Sequence, residues 1–185
     1  MKLATISALA TLTLGVPASA TDWNVLPEES TLGIIGHQND VAFEGEFLDF
    51  DAAISFDPDD PAAATIEVEI DMASLDTNNP QRDDVARGID LFYVAEYPTA
   101  QFTANGFAAE GDDVYGTIGT LTIRDVTQQV TLPFTLSIDG HRAHAVGELV
   151  IDRMDFGVGH GQWAGDSPVS HEITITVDIV AEASN

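Results

Sequence analysis

TIEVEIDM, residues 65–72, alternates apolar and polar side chains at every step. Ile66, Val68, Ile70 and Met72 fall on one face of an extended chain. Thr65, Glu67, Glu69 and Asp71 fall on the other, because successive side chains of a strand point to opposite sides. Such a segment buries one face and wets the other. Val130, Leu132, Phe134, Leu136 and Ile138 repeat the pattern, as do Ile173, Ile175, Val177 and Ile179, with shorter versions at Leu32–Ile35, Ala100–Phe107, Tyr115–Ile123 and Ala143–Ile151. Between Val41 and Phe56 the parity changes: Phe43 and Phe47 share one, while Phe50, Ala52, Ile54 and Phe56 share the other. That change predicts a bulge or sharp bend near Leu48-Asp49. Turns are expected at Asp57–Pro61, Glu110–Asp113, Asp125–Thr127 and Asp139-Gly140. The sum is about eight strands at the spacing of an antiparallel meander.

Residues 71–102 break this alternation. Asn79 can cap a helix, Pro80 suits its first position, and Asp83 and Asp84 sit near the positive end of its dipole. Val85, Ile89 and Phe92 are spaced four and three apart, which predicts one apolar stripe turned inward. Asp83 and Arg87 are spaced for an i,i+4 ion pair. Gly88 shortens the helix, and Pro98 bars it beyond Tyr97. Eight alternating strands can close as a barrel or stack as a sandwich. Long strands, short turns, one capping helix and many aliphatics of lumen size favour an all-β, eight-stranded antiparallel barrel of lipocalin type.

The chain has 185 residues and no cysteine. Met1-Lys2, the apolar run Leu3–Val16 and the small residues Pro17–Ala20 have the three parts of a signal peptide, predicting export with cleavage after Ala20. The run is shorter than the roughly 20 residues of a membrane span. Residues 21–185 then form one domain of a size that buries roughly 70% of its unfolded surface. Without cysteine there are no disulfides, no thiol catalysis and no thiolate metal sites. Formal net charge is −25, and loss of Lys2 makes it one unit more negative, leaving five arginines as the cations. Nucleic acid and anionic lipid surfaces are therefore disfavoured partners. The acids cluster at turns, which fits solvation in a saline habitat; a basic partner is the sharper alternative.

Catalytic patterns are lacking. His141 and His144 fall on opposite faces of one strand, and His37, His160 and His171 lie at turns or strand starts, so no metal spacing emerges. There is no GxSxG nucleophile motif. Gly157–Gly161 opens no helix and reads as a connection between strands. Arg82 and Arg87 could meet an anionic head group or neutralise Asp83, Asp84 and Asp90. Arg124 and Arg153, each beside an Asp, are expected in structural ion pairs.

Seven short stations in order carry a resemblance to a known family. They are GEF (45–47), FDP (56–58), SLDT (74–77), Arg82-Asp83, YPTAQF (97–102), LTIRDVTQQVTL (121–132) and FGVGHGQW (156–163). From Trp23 to Ala181 the chain resembles the YceI-like family of exported polyisoprenoid-binding proteins. It departs where Val85-Ala86 stand for a common His-Leu pair and Leu91-Phe92 for a double Phe. The resemblance implies a lipocalin-like barrel with an apolar channel for an isoprenoid chain, no catalytic residues and a periplasmic location. The run Arg153–Gly159 with Trp163 is similar to the branch associated with membrane cytochromes of the b561 type, which implies a quinone ligand.

The candidate lipid-binding residues are Phe47, Ile54, Phe56, Ile66, Val68, Ile70, Phe102, Leu121, Ile123, Leu132, Phe134 and Leu136, with Phe92 near the mouth and Arg82 or Arg87 at a head group. About half of the apolar set is expected to touch ligand, the rest filling core. The expected role is a carrier of a quinone or polyprenyl phosphate, with no other cofactor. Two alternatives remain: an interaction module for a b561-type cytochrome, and an enzyme acting on a small amphiphile. A homodimer is also open.

Overall fold

The computed structural model describes residues 21–111, 113–166 and 168–184, so the expected signal peptide lies outside the described residues. The alternating segments form β1 (Thr21–Val25), β2 (Thr31–Gln38), β3 (Val41–Phe47), β4 (Phe50–Phe56), β5 (Thr65–Asp71) and β6 (Leu75–Asp76). They continue as β7 (Thr99–Asn105), β8 (Ala108–Gly111), β9 (Val114–Ile123), β10 (Val126–Asp139), β11 (Arg142–Asp152) and β12 (Glu172–Ala183). The pairing order β1-β4-β5-β7-β9-β10-β11-β12 closes on itself through β1 and β12, with Trp23 opposite Ala183 and Val25 opposite Ala181. Closure rules out the sandwich.

Twelve segments make eight staves because the early ones are bent. β1 runs into β2 past a 3-10 turn at Pro27–Glu29, β5 into β6 past another at Met72–Ser74, and β7 into β8 past Gly106-Phe107, both pairing with β9. β3 and β4 meet at Leu48-Asp49, where the change of parity predicts a bend: Phe47 pairs with Leu75 on one side of it and Phe50 with Ile70 on the other. β9 to β12, of ten to fourteen residues each, run without such breaks. The β9–β10 turn sits earlier than expected, at Arg124-Asp125, with Arg124 left-handed at φ 58°. Val126 and Thr127 already pair with Ile123 and Thr122.

One ladder is incomplete. β10 and β11 pair only from Phe134–Gly147 to Asp139–Arg142. Beyond them Pro133 has no N–H to donate, and the strands part. Phe156, 2% exposed, packs into the cavity-end core beside this wedge, and the Gln128 side chain spans the wedge by donating to Asp155 O at 3.2 Å.

The inward side chains form two clusters along the barrel. At one end Trp23, Phe56, Phe107, Leu132, Phe134 and Leu136 pack together. At the other, Leu32, Phe47, Ile70, Met72, Leu75, Leu121 and Ile123 meet the helix and the long connection after β11.

The helix α1 (Pro80–Ala86) begins as its sequence predicts, with the Asn79 side chain accepting from Gln81 N and Arg82 N. It is shorter than the apolar stripe requires. The chain turns after Ala86, so Ile89 is 63% exposed rather than inward, and Ala86 and Leu91 supply the buried contacts instead. The Asp83–Arg87 pair does not form. Asp83 is buried and accepts from Thr77 N at 3.0 Å and Thr77 Oγ1 at 2.6 Å, tying α1 to the end of β6. Arg87 meets Asp84 at 3.4 Å and donates to Ala73 O and Leu75 O. A buried carboxylate with two donors predicts that Asp83→Ala lowers stability by about 1–3 kcal/mol, since Thr77 N–H loses its acceptor. Urea unfolding measures this, and Asp84→Ala should stay within about 0.5 kcal/mol of the parent.

Candidate functional site

The helix-capped end of the barrel holds a cavity of about 310 Å³. Its walls are the inward residues of seven staves: Leu32 and Ile34, Phe47, Ile70, Ala100, Leu121 and Ile123, Ile151, and Ile173 and Ile175. Its roof is Ala86 and Leu91 from the α1 side, with Phe92, and Val158 and Trp163 from the connection after β11. Apart from Arg153 under the roof, the polar lining gathers at one rim. There Gln38, Thr77, Asn79, Gln81 and Arg82 meet the cavity, and Gln81 and Val85 are exposed, which marks the mouth.

Two segments make the roof, and each is fixed by a buried or half-buried arginine. Arg153, only 4% exposed, donates to five backbone oxygens: Ser170, Val158, Trp163, Gly165 and Val169, at 2.6–3.2 Å. The chain from 157 to 166 and from 168 to 170 is thus wrapped around one guanidinium. Burial lowers the Arg153 pKa from its ordinary value, while Asp152 and Asp166 act to raise it. Arginine keeps its charge through such a shift. Gly159 is what lets the loop close, since a Cβ there would stand 1.8 Å from Arg153 Nη1. Its φ of 125° is also one that a side chain disfavours. Arg124 joins the two roof segments, donating to Leu91 O and Gly157 O at 2.9 and 2.8 Å with its guanidinium 5.4 Å over the Tyr97 ring. His160 N–H adds a bond to Asp90 O. Both arginines were expected in carboxylate pairs; their partners are carbonyls, because a loop turned inward presents oxygens that only a multi-donor cation can satisfy together.

Of the thirteen apolar candidates, Phe47, Ile70, Phe92, Leu121 and Ile123 line the cavity. Phe56, Leu132, Phe134 and Leu136, flanked by Ile54 and Ile66, form the packed cluster at the far end, and Val68 and Phe102 pack on the cavity-end core without lining the space. Alternation identifies which face is inward, and says nothing of where along the barrel the interior is filled. Leu32, Ile34, Ile151, Ile173 and Ile175 carry the same inward parity and also line it. Arg82 lies at the mouth, its guanidinium 4.4 Å over the Phe43 ring and its Nε donating to Gln38 Oε1. Among the described residues no carboxylate lies within 4 Å of it, and its two terminal nitrogens have no protein acceptor. Arg87 lies outside the cavity lining and is occupied as described.

Chemistry is sparse. Among the described residues no cluster of three or more His, Asp or Glu has the geometry to hold a metal. His144 pairs with Asp178 on the outer surface at 2.7 Å, while His141 lies in the turn before β11 rather than on the same strand. What the site offers is an apolar chamber with one cation at its lip.

A model of the YceI-like domain matches residues 23–181. The chain belongs to the YceI-like family. It is 35% identical over 141 residues to a YceI protein of Escherichia coli, covering 73% of this chain and 71% of that one. A UPF0312 protein of Pseudomonas syringae is 32% identical over 154 residues, 80% of this chain and 77% of its own. Among solved structures, Burkholderia cenocepacia BcnA superposes with a TM-score of 0.82 at 33% identity, over 85% of this chain and 99% of BcnA. A polyisoprenoid-binding domain from Saccharophagus degradans shares the fold, with a TM-score of 0.69 at 17% identity over 90% of this chain and all of that one. The family's stations have physical roles here. SLDT and Arg82-Asp83 are the two sides of the Thr77–Asp83 clamp, and FGVGHGQW is the loop wound on Arg153.

Gly159→Ala is expected to lower stability by about 2–4 kcal/mol through overlap with Arg153 and the loss of its backbone conformation. Thermal unfolding measures this. Arg153→Lys should cost a similar amount, because one ammonium cannot reach five oxygens.

Proposed function

We propose that this protein is an exported carrier that shields the chain of an isoprenoid lipid in the capped end of its barrel and holds the head group at Arg82. The observation that carries the reading is the pairing of an apolar chamber with a guanidinium at its rim whose terminal nitrogens meet no acceptor among the described residues. A quinone carbonyl or a prenyl phosphate would both accept from that guanidinium, and the b561-related resemblance of the 153–163 segment favours the quinone. Membership of a family whose solved relatives include a polyisoprenoid-binding domain supports a lipid ligand over a polar one.

Reversible carriage is energetically reasonable. Removing a methylene from water is worth about 0.8 kcal/mol. The donor, though, is a bilayer that is already apolar, so transfer into the barrel is close to neutral and a small head-group term sets its direction. Val41, Val85 and Ile89 are exposed apolar residues on or next to the segments that carry the mouth, where a bilayer or a membrane cytochrome would be met during hand-over. Their exposure is what supports the alternative reading, an interaction module for a membrane cytochrome. Among the described residues the polar lining is the rim and Arg153, whose donors are taken up by backbone oxygens, which favours carriage over turnover of a small amphiphile.

Organic extraction of protein purified without detergent, followed by mass spectrometry, should recover a prenyl lipid in stoichiometric amount; its absence counts against carriage. Arg82→Ala is expected to weaken binding of a prenylated quinone by about tenfold or more, the worth of one charge-assisted hydrogen bond. Arg87→Ala should leave that affinity within about twofold and act on stability instead.

A further inference from the structure

The acids of this chain are unevenly placed around the barrel. Exposed positions on β3, β5, β11 and β12 carry them, among others Glu44, Glu67, Glu69, Glu148 and Asp178. β7, β9 and β10 differ. Thr99–Asn105, Val114–Ile123 and residues 126–138 contain no charged side chain, in a protein with 31 acids. The three strands are neighbours, since β7 pairs with β9 and β9 with β10. Their registers therefore lay uncharged residues side by side on the outer surface, as in the row Thr103, Thr120 and Gln129. Next to that row Ile118 faces Thr131 across the ladder and is 66% exposed. Glu67 and Glu69 of β5 border the face on one side, and Glu148 and Asp152 of β11 on the other. A carboxylate reaches onto its end from β8, where the Glu110 side chain lies over Gly116.

An exposed apolar residue in an uncharged field has the composition of an interface centre, where charged residues are depleted. The charge of the whole molecule decides what can meet it. A basic partner would gain most on the acid-bearing strands and nothing here. A partner as acidic as this chain is repelled elsewhere and least here. A second copy is such a partner, and an uncharged face matches itself in charge, as a two-fold contact requires.

We propose that two copies of this protein pack through the outer surfaces of β7, β9 and β10, with Ile118 at the centre of the contact. None of the outward residues named lines the cavity, so the contact does not rest on the carrier reading. The acids at its borders repel across the contact, and screening by salt therefore promotes association.

Sedimentation equilibrium of the intact protein at about 0.1 M and about 1 M NaCl tests this, since the screening length falls from about 10 Å to about 3 Å. A dimer is expected whose dissociation constant falls at least about tenfold at the higher salt. Ile118→Glu should raise that constant about tenfold or more at either salt. Its thermal unfolding should match the parent, because the side chain is exposed. Thr131→Asp, across the ladder, repeats the test if the first variant unfolds early. Glu110→Gln should tighten the dimer. Val41→Glu, at a comparably exposed site on β3, should leave it within about twofold. A monomer at on the order of 1 mM protein in the higher salt would overturn the proposal. So would a dimer that salt weakens, or one that Ile118→Glu leaves intact.

Discussion

The cavity exists because one buried cation organises the loop that roofs it. A stretch of backbone turned inward over an apolar chamber exposes carbonyl oxygens to a medium that cannot solvate them, at a cost of about 1–3 kcal/mol for each one left unpaired. Arg153 answers this with a planar fork of donors reaching five of them from the end of β11. The loop in turn hides the guanidinium from water. Each is stable only in the presence of the other, and Gly159 is the position where the two come close enough to lock.

The other arginines divide the remaining work. With 31 acids and five arginines, each cation in the barrel has a choice of many carboxylates. Even so, Arg124 spends its Nη1 on carbonyls that join the two roof segments, and Arg87 reaches carbonyls of the bent β5–β6 stave. Exposed ion pairs contribute little in such a field, whereas a carbonyl fixed in the fold gains a charge-assisted partner. Arg142 meets Glu29 and Glu182 on the surface, and Arg82 differs from all of these. It rests on the Phe43 ring with its terminal nitrogens meeting no acceptor among the described residues, a positive point at the lip of a cavity in a strongly acidic molecule.

Much of this architecture can be read from period alone. The alternation at Ile66–Met72, Val130–Leu136 and Ile173–Val177 assigns the inward face, and the parity change at Leu48-Asp49 locates a real bend between β3 and β4. The helix start follows from Asn79 and Pro80. The stripe through Ile89 fails because helix periodicity applies only while the helix lasts, and this one ends at Ala86. The pairing of Asp83 fails for a related reason. Spacing shows that Arg87 could reach it, and cannot show that Thr77 arrives first with two donors from the end of β6.

The sequence by itself determined the class of fold, the faces of the strands, the place of the cap and the family, since each follows from local spacing or from motifs in order. Tertiary structure alone decided where the interior is empty. Phe56, Phe134 and Ile70 share the inward orientation, yet the first two close the barrel and the third opens onto the cavity. The difference lies in what faces them across the lumen. Aromatic rings from four staves converge at one end, while at the other smaller aliphatics and Ala100 leave their centre unfilled beneath a roof held by Arg153.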